Sequence, residues 1–255
     1  MDRDAMRVCV DRVVPPPSDR AAAALHEALT GRHEHAGRKG LLGPVYKMSL
    51  PHLKMWPLGK TLRCRFLEGT PFQRGRAEEI AHQWEDYANI KLRFVEEDPA
   101  EIRIAFRKGE GSWSGIGTDA LVDTYFPLHG PTINFGWLDE ATNPAEFKRV
   151  VLHEFGHALG CIHEHQQPNF APAWNKEAVY AYFCGAPNYW THDQVDLFIL
   201  GRYSKEETNS TAFDPLSIML YRFGPEFFTD GSSTPMNWEL SETDKAFIAG
   251  IYPKG

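Results

Sequence analysis

Two histidines and a glutamate near the middle of the chain have the spacing of a metal-binding helix. His153 and His157 are four residues apart, so on a helix both imidazoles project from one face and can bind the same metal ion. Glu154 directly follows the first of them. Gly160 can turn the chain out of the helix, and His163 then follows as a third nitrogen donor. The pattern HExxHxxGxxH therefore predicts a site with three histidine ligands.

Three protein ligands favour a catalytic zinc centre over a structural one. They leave the fourth position of a tetrahedral zinc site open to water, whereas four ligands close a structural site. Zinc lowers the pKa of its bound water toward about 7, and a carboxylate can take the proton as the hydroxide attacks a carbonyl. We expect one catalytic Zn²⁺, with Glu154 as the general base of a hydrolysis reaction. Histidines on an ordinary helix without a metal are the alternative.

A second motif resembles a known clan of peptidases. Ser217–Tyr221 reads SIMLY, and with the histidine motif it resembles the metzincin zinc peptidases, which carry a methionine-containing turn beneath the metal. Glu164 after the third histidine resembles the astacins rather than the matrixins, adamalysins or serralysins. The segment 111–117 is also similar to astacins, and the resemblance covers roughly residues 56–253. The chain is identified as a divergent member, because Cys161 and Leu220 replace residues usual in astacins.

This resemblance implies roles for further residues. It implies that Met219 forms a hydrophobic floor under the histidines, and that Tyr221 is an additional zinc ligand that swings out to stabilise the oxyanion. In astacins the counterpart of Glu164 receives the ammonium group of the processed N-terminus. The implied architecture is an α+β zincin fold, in which a twisted mixed sheet with a backing helix and an active-site helix lies over an irregular lower subdomain with a C-terminal helix.

The hydrophobic pattern is consistent with this architecture. Alternation from Thr61 to Leu67 predicts a strand, and later alternating segments bring the sheet to four or five strands. Helix starts are predicted after Thr70, Asn143 and Ser241 from their capping residues. We expect a peptidase domain over residues 51–255, divided into an upper subdomain of about 56–160 and a lower one of about 161–255 that is mostly irregular.

Residues 1–50 differ in composition from the rest of the chain and are interpreted as an N-terminal extension that could be a pro-like segment. One short helix is predicted within it, between Asp19 and Leu29. Cys9 within it could occupy the open zinc position, as the switch cysteine of matrixins does, or could simply pack on the domain. His33 and His35 could bind a second metal if extended, although a solvated loop is the favoured interpretation.

Three features of the second half leave alternatives open. Cys161 and Cys184 could pair or stay as free thiols. His165 is interpreted as a loop side chain or as a donor to a ligand rather than as a fourth ligand. Aromatic residues either line a specificity pocket or, as we favour, form the core of the lower subdomain. These aromatic residues are Tyr180, Tyr182, Phe183, Tyr189 and Trp190.

Composition excludes several classes of function. With 27 basic and 34 acidic residues the net charge is −7, which argues against binding nucleic acid through phosphate neutralisation. No apolar run approaches the length of about 20 residues that spans a bilayer. The first residues lack the apolar region of a secretory signal, so the compartment stays open, as does the oligomeric state.

The predicted function is therefore a zinc-dependent endopeptidase. Its substrate would be a protein or peptide that lies extended along the edge strand of the sheet. Two alternatives are a catalytically silent binding protein with the same fold and a zinc hydrolase that acts on non-peptide amides or esters.

Overall fold

One mixed sheet organises the part of the chain that the computed structural model describes, which comprises residues 9–12, 54–186, 188–205 and 212–255. The predicted helix between Asp19 and Leu29 and the pair His33 and His35 lie outside these residues. The strands are β1 (Val10–Arg12), β2 (Thr61–Phe66), β3 (Lys91–Phe94), β4 (Ile102–Ala105), β5 (Trp113–Gly115) and β6 (Ile133–Asn134). Their order is β1-β5-β6-β4-β2-β3.

Five of these strands belong to the predicted domain, which confirms the expected mixed sheet. Strands β2, β3, β4 and β6 are parallel to their neighbours in this group, whereas β5 runs antiparallel to β6. Without the extension, β5 would be the edge strand. Its free side would then offer a row of backbone N–H and C=O groups to another extended chain.

The sixth strand comes from the N-terminal extension, for which the sequence predicted only a helix. β1 pairs in parallel with β5, so that Val10 lies opposite Trp113 and Arg12 opposite Gly115. Its three residues are too few for an alternating pattern to show in the sequence. The extension therefore covers the edge of the sheet.

Two helices pack in the core beside the sheet. Helix α1 (Pro71–Ala81) begins with the predicted capping box, in which Thr70 and Gln73 exchange side-chain and backbone hydrogen bonds. It ends at Ala81, and a 3₁₀ turn over His82–Asp86 follows. The helix and the turn bury one set of apolar residues at helical spacing, namely Ala77, Ile80, Ala81, Trp84 and Ala88.

The second helix, α2 (Pro144–Ala158), carries the metal-binding motif and is held at both ends. The side chain of Asn143 accepts a hydrogen bond from the Ala145 N–H at its start. At its end, the Trp56 indole donates to the Ala158 carbonyl over 2.7 Å, and the Tyr252 hydroxyl donates to the Leu159 carbonyl over 2.8 Å. These side chains satisfy carbonyl groups that have no donor within the helix.

The lower subdomain contains more regular structure than the sequence predicted. Helix α3 (Lys176–Phe183) and the short helix α4 (His192–Val195) were expected to be irregular, and α4 continues as a π-helical turn over Asp196–Leu200. The final helix α5 (Glu242–Ile251) starts at Ser241, as predicted. Across the described ranges, no helix is long and apolar enough to cross a bilayer.

Candidate metal centre

The structure brings the three predicted histidine ligands together at the end of α2. The Nε2 atoms of His153 and His157 are 3.1 Å apart, and each lies 3.2 Å from the Nε2 atom of His163. Tetrahedral zinc with Zn–N bonds of about 2.0–2.1 Å would require N···N separations of about 3.3 Å. Within the described residues this is the only group of three or more potential ligands close enough to share a metal ion. The donors fit Zn²⁺ in both type and spacing.

Each ring is oriented through its other nitrogen. The Nδ1 atom of His153 lies 2.8 Å from the Ile218 carbonyl, and that of His157 lies 2.8 Å from the Cys161 carbonyl. Because a carbonyl can only accept, both Nδ1 atoms carry the proton. The Nε2 lone pairs are therefore directed toward the shared centre.

A left-handed glycine brings the third histidine back to the helix. Gly160 has a φ of +106°, a conformation that residues with a side chain rarely adopt. Its N–H donates to the His157 carbonyl, while the Cys161 N–H donates to the Gly156 carbonyl. These bonds close the helix end, and His163 follows three residues later.

The histidine cluster disfavours added positive charge. Burial lowers the pKa of His153 well below its ordinary value, and the neighbouring His157 and His163 lower it further. The neutral ring is the form that binds metal. Glu154, which is fully buried beside this cluster, is the only carboxylate of the motif.

Met219 lies directly under the helix that carries the histidines. A methyl group added at Gly156 would overlap the Met219 sulfur, so this glycine is needed for the close approach. The Met219 carbonyl also accepts a hydrogen bond from the Glu164 N–H over 3.0 Å. The turn is thereby linked to both the helix and the chain beyond the third ligand.

Tyr221 and His165 pack on the third ligand. The ring centre of Tyr221 is 4.1 Å from that of His163, and the ring centre of His165 is 5.2 Å from it. His165 is fully buried, and its ring also packs near those of Phe170, Trp174, Tyr221 and Phe223. It is therefore a core residue of the site rather than an exposed loop side chain.

Two buried carboxylates lie next to the methionine turn. The Asp244 carboxylate accepts hydrogen bonds from the Ile218 N–H and the Ser217 hydroxyl, yet burial raises its pKa to about 6. Burial also raises the pKa of Glu164 well above its ordinary value. Glu164 Oε1 accepts from the Asp214 N–H, whereas no described residue donates to Oε2. This oxygen could accept a further donor.

The Cys9 thiol is buried at the same site. Burial, followed by the negative charge of the nearby Glu154 carboxylate, raises its pKa well above its ordinary value. It packs in one apolar cluster with Leu220 and Tyr221. The structure thus buries Cys9 near Glu154, whereas the sequence left open either the zinc position or packing on the domain surface.

The structure also answers the open questions about the cysteines and the aromatic residues of the second half. All four cysteines are free, so Cys161 and Cys184 do not pair. Most of the predicted aromatic residues belong to the second core cluster or pack against it, namely Tyr180, Tyr182, Phe183 and Trp190. Tyr189 is the exception, because 73% of its surface is exposed.

One residue of the site was not predicted from the sequence. The side chain of Gln166 lies 3.4 Å from His163 Nδ1 and orients the third ligand. The only available signal was its position three residues after that histidine, which does not by itself distinguish it from its neighbour Gln167.

Comparisons with known proteins agree with this geometry. A family model described as Matrixin matches residues 72–178, which include His153 and His157. One structure of myroilysin is 43% identical, with a TM-score of 0.78, and the match covers 81% of this chain and 99% of that chain. A crystal structure of myroilysin is 35% identical, with a TM-score of 0.64, and the match covers 98% of this chain and 93% of that chain.

A more distant structure supports the fold alone. High choriolytic enzyme 1, a hatching enzyme zinc-protease from the medaka fish Oryzias latipes, is 16% identical over 78% of this chain and 94% of that chain, with a TM-score of 0.51. The search of functionally characterised, curated proteins gave no match.

Proposed function

Because this chain belongs to the metzincin zinc metallopeptidases, we propose that it is an endopeptidase that uses Glu154 as its general base. A zinc-dependent protease is what the family and the fold support at a general level. The observation that carries the finer proposal is the burial of Glu154, which directly follows the first of three convergent histidines.

The residues of the chain divide the chemistry between them. His153, His157 and His163 would hold one Zn²⁺, which when bound supplies a Lewis acid that activates water. Glu154 would take the proton of that water and deliver it to the leaving amine. Tyr221, which packs on His163, would serve as an additional ligand at rest and as a donor to the oxyanion.

The edge of the sheet is suited to an extended peptide. β5 already pairs with a strand of the extension through the register Val10 with Trp113 and Arg12 with Gly115. The same backbone groups could bind a substrate by strand addition. This geometry favours peptide bonds in unfolded or extended segments as the target, and it favours cleavage within a chain rather than of small amides.

We also propose that residues 1–50 keep the site closed. β1 covers the strand on which a substrate would lie, and the buried Cys9 lies near the carboxylate that would act as base. A thiolate is a good zinc ligand, so the same residue could reach the metal position. Removal of the segment would free the edge strand, Glu154 and the fourth coordination position together.

The closed state predicts activation by a single substitution. Cys9→Ser is expected to increase cleavage of denatured casein, because a neutral hydroxyl binds zinc far more weakly than a thiolate. Deletion of residues 1–50 is expected to increase it further, because β1 is also lost. The matched control is Cys184→Ser, which changes a partly exposed thiol outside the site. Equal specific activity in the parent, Cys9→Ser and the truncated chain would contradict an inhibitory role.

An astacin-like maturation is a further part of this proposal. Glu164 follows the third histidine, as in the astacins, and its Oε2 has no donor among the described residues. A newly formed N-terminal ammonium group could occupy this position after the extension is cut. The matching family model is that of the matrixins, so the astacin-like branch rests on Glu164 and Tyr221 rather than on the comparisons.

Tyr221→Phe is expected to lower kcat by about 10²-fold while zinc stays bound, since an oxyanion donor contributes on the order of 3 kcal/mol. The substitution keeps the ring that packs on His163 and removes only the hydroxyl. Single-turnover rates and zinc content would be measured beside Tyr125→Phe, whose ring is 49% exposed. An unchanged chemical rate would remove Tyr221 from the mechanism.

The two alternative functions make different predictions for substrates. A silent binding protein would bind an unfolded chain without cutting it, even after Cys9→Ser. A hydrolase of non-peptide amides or esters would act on small esters and leave casein intact. Assaying denatured casein beside small esters separates these functions from an endopeptidase.

A further inference from the structure

The three ligands differ in what orients them. Backbone carbonyls hold His153 and His157, and a side-chain substitution cannot remove a backbone carbonyl. The third ligand, His163, instead faces a side chain, because its Nδ1 atom lies 3.4 Å from Oε1 of Gln166. Gln166 is therefore the orienting group of the site that can be altered directly.

The orientation of the Gln166 amide is fixed from its other end. Its Nε2 group donates a hydrogen bond to the Leu197 carbonyl over 2.9 Å. A carbonyl can only accept, so the NH₂ group must face Leu197 and the oxygen must face His163. His163 Nδ1 must then carry a proton, which leaves the Nε2 lone pair directed toward the other two ligands. The Leu197 carbonyl thus determines, through the orientation of the Gln166 amide, which nitrogen of His163 carries the proton.

The anchor of this chain of bonds is the π-helical turn over Asp196–Leu200. Near its end, the carbonyls of Leu197 and Phe198 accept from Gln166 and from His165 Nε2, the latter over 3.2 Å. The Tyr203 N–H donates back to the Gln166 carbonyl over 2.9 Å. Carbonyls at a helix end need such external donors. The turn and the segment that follows the third ligand therefore hold each other in place.

We propose that Gln166 is a positioning residue that sets the tautomer and the ring orientation of the third metal ligand, His163. The hydrogen bond to the Leu197 carbonyl holds the Gln166 amide in the orientation that this role requires. The proposal rests on the metal site of the proposed function. Partners that orient a ligand commonly change metal affinity by about 10- to 100-fold when they are lost. Gln166 is buried, so water does not readily replace its amide.

Two substitutions separate the bond to the ligand from the bond to the turn. Gln166→Leu removes both, whereas Gln166→Glu retains an acceptor for His163 Nδ1 and loses the donor to Leu197. Gln167→Leu is the matched control, because this neighbouring buried amide donates to Glu164 Oε1 and to no ligand. Zinc affinity would be measured on the full chain by competition with a chelator, and Tm on the metal-free chain.

We expect Gln166→Leu to bind zinc about 10- to 100-fold more weakly, and Gln166→Glu and Gln167→Leu to stay within about threefold of the parent although their Tm is lower. With Co²⁺ in place of zinc, only Gln166→Leu should change the visible absorption bands. The proposal is overturned if Gln166→Leu binds zinc as tightly as the parent. It is also overturned if zinc affinity falls in parallel with Tm across all three variants. If Gln166→Leu does not fold, the proposal is overturned when Gln166→Glu loses zinc affinity in parallel with its Tm instead of staying within about threefold of the parent. A parent that binds no zinc would instead contradict the proposed function.

Discussion

Glu154→Gln is expected to retain one zinc ion per chain and to lower kcat by about 10²- to 10⁴-fold, which is the range attributed to a positioned general base. The amide keeps the shape of the carboxylate but cannot accept a proton from water. Glu154 is fully buried and is the only carboxylate of the motif, so no other residue of the motif can act as the base in its place. Turnover of denatured casein and zinc content would be measured on the same preparations.

The background for this comparison should be Cys9→Ser, because the buried Cys9 thiol lies close enough to Glu154 for the carboxylate charge to raise the pKa of the thiol. Glu79→Gln is a suitable control, since it makes the same chemical change on an exposed face of α1. If Glu154→Gln lost zinc together with activity, the residue would be structural. If it kept full turnover, the base would be another group.

The second large effect is expected from the ligands themselves. His163→Ala should weaken zinc binding by more than about 100-fold, because loss of a group that merely orients a ligand already costs about 10- to 100-fold. His153→Ala and His157→Ala should act in the same way, since each removes one of three donors. Zinc affinity by chelator competition is the measurement.

His129→Ala provides the control for these substitutions, because this histidine is exposed and distant in sequence from the motif. Its zinc affinity should equal that of the parent. If His163→Ala bound zinc as tightly as the parent, the third ligand would be wrongly assigned, and a different donor would have to complete the site.

The centre of the site was predictable because its signals are local. His153 and His157 are related by one helical turn, and Gly160 and His163 follow within six residues of His157. Helix starts at Thr70 and Asn143 were also predictable, because capping depends on residues one to three positions away. Such features require no knowledge of the tertiary structure.

The parts that were missed depend on contacts between distant segments. The pairing of β1 with β5 joins residues about a hundred positions apart, and no alternating pattern marks three residues. The Gln166 amide is fixed by the carbonyl of Leu197, which is 31 residues away. Helix α3 is short and lies in an aromatic-rich region without sustained periodicity, so tertiary packing rather than local pattern determines it.

The central claim is that this chain cleaves peptide bonds with a zinc ion held by His153, His157 and His163. The most direct test is incubation of the full chain and of Cys9→Ser with denatured casein, with and without a chelator, followed by addition of zinc. We expect cleavage at internal peptide bonds that the chelator abolishes and zinc restores, with the higher rate in Cys9→Ser. Cleavage that persists in the chelator, or no cleavage by either protein with zinc present, would contradict the account.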